Sequence, residues 1–93
     1  MNKAEHLLTC LAEECAEIHQ AVSKALRFGI DDKYKETTPR QDIESEFTDL
    51  VAIVELLEEE GIMTIGTTQI EIDQKKARVR KYMDYAREHG TLT

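Results

Sequence analysis

Between Asn2 and Gly29 the chain contains neither glycine nor proline, and Leu7, Leu8, Leu11, Cys15, Ile18, Val22 and Leu26 return at three- and four-residue spacings. That spacing gathers apolar side chains on one side of an α-helix; a strand would need alternation every second residue. Asn2 with Glu5 forms a capping pair, so the pattern predicts a helix over residues 3 to 28, stopped by Gly29. Thr38, Pro39 and Gln41 supply an N-cap, a first-turn proline and a capping-box partner in register. They predict a second helix running to about residue 60, with Gly61 as its stop. Thr68 with Glu71 starts a third, which ends before Gly90. Residues 30–37 read as a polar loop, and 62–68 as a connector.

Only 5% of the residues are aromatic and there is one proline, which leaves little material for a sandwich or barrel. The expected fold is all-α, a helical bundle of three main helices, with one domain spanning residues 1–93. A chain of this length buries only a modest share of its unfolded surface, so a four-helix-type core completed by oligomerisation is expected.

The formal charge is -7 and is unevenly spread: residues 1–60 carry 15 acidic and 6 basic side chains, residues 61–93 carry 4 and 6. An acidic body argues against a nucleic acid polymer as partner, because neutralising phosphates needs a basic face. Cys10 and Cys15 lie about 140° apart around a helix axis, too far for a local disulfide, and read as small core residues in a reducing compartment. No apolar run reaches the roughly 20 residues of a membrane span, so a soluble, cytoplasmic protein with no membrane partner is expected.

Placing side chains at about 100° per residue exposes an anomaly. With Glu14 as zero, Leu7 and Ala25 lie near +20°, Ala21 near -20°, Ile18 near +40° and Leu11 near +60°, while Glu17 lies about 60° to the other side. With Glu46 as zero, Ile53, Leu57, Leu50 and Ile43 lie between about -20° and +60°, and Asp49 near -60°. Each helix therefore aims an acidic i, i+3 pair into its own apolar arc. Glu13 falls about 100° from Glu14, at the edge.

Carboxylates in a core need a partner, since an isolated buried charge is costly or takes up a proton. A solvated flank or an interface ion pair is the competing use for any one of them. Too few basic residues occupy matching core positions for four, and a divalent cation satisfies the set together. All-oxygen donors suit Mg²⁺, or Mn²⁺ as substitute, better than Zn²⁺. A di-iron bundle would need Glu-x-x-His on two helices, and the sequence contains none. His6, His19 and His89 read as surface residues.

Glu13-Glu14-Cys15-Ala16-Glu17, then 28 intervening residues, then Glu46-Phe47-Thr48-Asp49, resembles the EExxE and ExxD signature of MazG-like nucleoside triphosphate pyrophosphohydrolases. The flanking LAEECAEIHQAVSKALRFG and the later KKARVRKYMDYARE are also similar to short, stand-alone members of that family. The resemblance implies an all-α nucleotide pyrophosphatase assembled as a homodimer or homotetramer. Its metal ligands would be Glu14, Glu17, Glu46 and Asp49, with Glu13 assisting the attacking water or orienting a neighbour. The expected reaction is Mg²⁺-dependent hydrolysis of a (deoxy)nucleoside triphosphate to the monophosphate and pyrophosphate by metal-activated water.

Lys24, about 20° from Glu17 in azimuth and two turns along, is the expected phosphate contact on the first helix. Lys76 and Arg80, four residues apart on the last helix, are the expected contacts from its basic cluster. Tyr82 and Tyr85 could stack on a base, although Val79, Tyr82, Met83 and Ala86 have the spacing of core packing. The tryptophans with which some members of that family enclose the base have no counterpart here, as the chain has none. Two other readings stand beside this one: a phosphoribosyl-ATP pyrophosphatase, and a non-catalytic helical interaction or nucleotide-binding regulatory module.

Overall fold

The computed structural model describes residues 1–33 and 35–93, so Tyr34, in the expected loop over 30–37, lies outside the described residues. Three helices follow in order: α1 (Lys3–Phe28), α2 (Pro39–Glu59) and α3 (Gln69–Glu88). No strand occurs among the described residues.

The helices start where local chemistry satisfies their free N–H groups. The Asn2 side chain accepts from the Glu5 backbone N–H at 2.8 Å. Thr38 Oγ1 accepts from the Gln41 N–H at 3.2 Å while the Thr38 N–H donates to Gln41 Oε1 at 2.9 Å, a complete capping box followed by a buried Pro39. Gly29 (φ 101°) and Gly61 (φ 69°) take the left-handed backbone that ends α1 and turns the chain after α2. Past Gly61 the N–H groups of Ile62 and Met63 both donate to the Leu57 carbonyl, closing the end of α2.

α1 and α2 form an antiparallel hairpin. At its open end Lys3 Nζ lies 2.8 Å from a Glu60 carboxylate oxygen. At its closed end the Arg40 guanidinium donates to both Asp31 oxygens, at 2.8 and 3.1 Å, and the Arg40 N–H donates to the Ile30 carbonyl. These pairs are exposed, and each contributes little to stability. Leu57, with no exposed surface, and Ala21 are the buried hydrophobic side chains between them. The aliphatic residues Leu7, Leu11, Ile18, Leu50 and Ile53 are half-buried along the same seam.

α3 packs against neither α1 nor α2. The consequence is an open shape: the radius of gyration is 16.8 Å, where a compact chain of this length would give about 12 Å. Two expectations change accordingly. Val79, Tyr82 and Met83 do not pack into a core within the chain and are 44%, 68% and 40% exposed, and Cys15 is exposed rather than buried. Two helices can bury only the stripe that each turns to the other, so residues about 100° off that stripe have nothing to cover them. Cys10 and Cys15 are both free thiols, as their spacing requires. Among the described residues, no helix is long and apolar enough to cross a membrane.

Candidate metal centre

The acidic pairs meet across the α1–α2 seam. Glu14 and Glu17 come from the middle of α1, and Glu46 comes from the second turn of α2. One carboxylate oxygen from each of the three lies within 4.8 Å of the other two. Such convergence follows from the helix arithmetic: each acid occupies the apolar arc of its own helix, and packing those arcs together brings the acids face to face.

Glu14 and Glu46 are half-buried and Glu17 is exposed. Glu14 Oε2 and Glu46 Oε2 are shut away from solvent and have no hydrogen-bond partner. A buried carboxylate oxygen in that state has lost its water without replacement, which is costly and uncommon in native folds. The titration of both groups registers the cost. Glu46 is pushed up to about 7, first by the hydrogen bond it shares with Glu17, then by burial and by the negative charges of Glu17, Asp49 and Glu14. Glu14 is also raised, mainly by burial and then by the charges of Glu17, Asp49 and Glu13. Among the described residues, no Lys or Arg forms an ion pair with Glu14, Glu17 or Glu46.

Asp49 stands outside the trio that converges within 4.8 Å and is exposed. It is near enough for its charge to raise both Glu14 and Glu46. Glu13 is exposed at the edge, where its charge acts on Glu14.

A cleft of about 280 Å³ opens beside the trio and is lined by Glu17 and Glu46 together with Lys24, Lys35 and Asp42. Lys24, singled out by its azimuth, therefore reaches the neighbourhood of the acids. Asp42 organises the other wall. It accepts from the Thr37 hydroxyl at 2.6 Å and pairs with Lys35 Nζ at 3.1 Å. Those two contacts, with the more distant Lys24 charge, hold its carboxyl below the ordinary range.

The structure does not bring Lys76 or Arg80 to the acids within one chain: both are exposed on α3. Tyr85 stacks on His89, with ring centroids 3.9 Å apart, and His89 and the other two histidines are exposed.

Sequence reasoning missed Asp42 and Lys35. Asp42 was within reach of the same arithmetic, since it lies about 40° from Glu46 on the Asp49 side of α2. Lys35 precedes α2 in an irregular stretch, where periodicity carries no signal.

The arrangement is thus an electron-rich, all-oxygen pocket adjoining a cleft with two lysines, suited to a hard divalent cation and a polyanion held beside it. No family model matches the chain, and neither do curated proteins or solved structures.

Proposed function

We propose that the chain is a MazG-like nucleoside triphosphate pyrophosphohydrolase, hydrolysing (deoxy)nucleoside triphosphates to the monophosphate and pyrophosphate with Mg²⁺, or Mn²⁺ in its place. The observation that carries this reading is the pair of buried, partnerless carboxylate oxygens of Glu14 and Glu46 beside Glu17. A divalent cation fits them: the donors are all carboxylate oxygens, and like charges converge without an opposing side chain. Glu14, Glu17 and Glu46 would hold the ion, with Asp49 as the fourth carboxylate. When bound, such an ion neutralises charge developing on a triphosphate and acidifies water.

The remaining work belongs to the chain itself. Lys24 donates to a phosphate oxygen lying in the cleft beside Glu17. Asp42 orients Lys35 on the opposite wall, keeping a second cation at the cleft. Glu13, exposed beside Glu14, orients the attacking water or accepts its proton. A second copy completes the helical core, giving a homodimer or homotetramer.

The test is a panel of common and modified nucleoside triphosphates, with phosphoribosyl-ATP included, assayed for pyrophosphate release. Release from at least one, stopped by a chelator, is expected. Release from phosphoribosyl-ATP alone would reassign the substrate. No release from any member would leave the non-catalytic regulatory module as the better reading.

A further inference from the structure

The hairpin has two unlike sides. The acids and the lysine-bearing cleft lie on one flank of the α1–α2 seam. On α1 the opposite flank carries Leu8, Cys15, Val22 and Leu26, which fall between about +80° and +120° from Glu14. On α2 the same side carries Phe47 and Val51, about +100° and +140° from Glu46. All six are exposed, Leu26 to 83% and Phe47 to 58%. A contiguous apolar face therefore backs the acidic one.

α3 carries a matching stripe. Ile72, Val79, Met83 and Ala86 lie within about 60° of arc and span about 21 Å, against about 27 Å from Leu8 to Leu26 on α1. The first three are exposed, and α3 touches neither helix of its own chain. Most of the stability of a helix in a protein comes from packing its apolar face, and this 20-residue helix packs that face on nothing in its own chain.

We infer that α3 is an exchanged arm, which docks its Ile72–Val79–Met83 stripe on the apolar face of the α1–α2 hairpin of a second copy. Charge decides between that occupant and a second hairpin. Residues 1–60 carry a net charge of -9 and residues 61–93 a net charge of +2. Two hairpin faces would set like charges together, whereas α3 brings the opposite sign to the acidic body. The area agrees. The chain exposes 7382 Å², whereas a compact monomer of 10.7 kDa would expose about 5,500 Å². The excess, about 1,900 Å² per chain, is what a stable, obligate dimer hides. The inference rests on the reading that a second copy completes the core, and specifies which surfaces meet.

Three full-length proteins test it by sedimentation and native mass spectrometry: wild type, a Val79→Glu/Met83→Glu variant, and a Leu8→Glu/Val22→Glu variant. Wild type is expected to be a dimer or larger even assembly, and each variant a helical monomer. Mixing the two variants should restore a species containing both, because one keeps the receiving face and the other keeps the arm. A monomeric wild type overturns both the arm and the completed core. Assembly that persists in both variants, or a mixture that stays monomeric, overturns the arm alone. Hydrogen exchange on wild type supplies a reading that needs no variant: α3 amides from Val79 to Ala86 should be protected at least about 100-fold, where an undocked helix exchanges near peptide rates. Near-peptide rates there overturn the arm.

Discussion

Glu14 and Glu46, on different helices, each bury one carboxylate oxygen without a hydrogen-bond partner, and both lie within reach of Glu17. Two such groups with converging carboxylates weaken a fold that holds no cation, and converging carboxylates are what a cation needs.

Neutralising one of them should therefore raise stability and lower activity together. Glu46→Gln removes a repelled carboxylate, so its Tm without added metal should exceed that of wild type. The same change should reduce pyrophosphate release by about 100-fold or more, the scale on which even residues behind the ligands act. Thermal unfolding with chelator and a turnover assay check the two signs, and a variant less stable than wild type would contradict the first.

Stability should depend on pH in a stated direction. The Glu46 carboxyl titrates near 4.5 when unfolded and is pushed up to about 7 when folded, largely by the hydrogen bond shared with Glu17. A folded value above the unfolded one means that the protonated form contributes stability fully below about 4.5 and loses it as pH rises through about 7. The Tm of metal-free protein should fall between pH 5.5 and 8, and Mg²⁺ should restore more at pH 8 than at 5.5. Glu46→Gln should flatten the dependence; an unchanged slope in that variant would count against it.

Lys24 is expected to serve the polyanion and not the metal. A charge-assisted hydrogen bond is worth about 1.5–3 kcal/mol, so Lys24→Gln should raise KM about tenfold or more. Mn²⁺ affinity should stay within about twofold, since Lys24 makes no ion pair with the acids. Steady-state kinetics with a parallel metal titration separate the two effects.

How much of this was legible beforehand follows from the kind of signal each residue carries. The capping groups of Asn2, Thr38 and Thr68 placed the helix starts, because a cap is decided by a few adjacent residues. The Glu14, Glu17 and Glu46 convergence was also legible, since azimuth within each helix becomes proximity once apolar arcs pack. Asp49 shared that arithmetic yet stands outside the trio, exposed, with only its charge acting on Glu14 and Glu46. The exposed Val79, Met83 and Cys15 have the spacing of core residues because periodicity shows which side of a helix is apolar and not which molecule covers it. Lys35 lay beyond any periodic signal.

The core between α1 and α2 is thin, so single losses there should be severe. Leu57 has no exposed surface, and its carbonyl closes the end of α2. Leu57→Ala should cost about 2–5 kcal/mol, whereas Thr38→Ala, which removes only the cap, should cost about 1 kcal/mol. Urea denaturation at fixed protein concentration gives both, and equal losses would contradict the ranking.

The most direct measurement is a Mn²⁺ titration followed by electron paramagnetic resonance, on wild type and on Glu14→Gln, with helix content checked by circular dichroism. Saturable binding by wild type, lost in a Glu14→Gln protein that keeps its helices, is expected if Glu14, Glu17 and Glu46 hold the ion. A wild type that binds no Mn²⁺, or a folded Glu14→Gln protein that binds it unchanged, would mean that the buried carboxylates serve some other purpose.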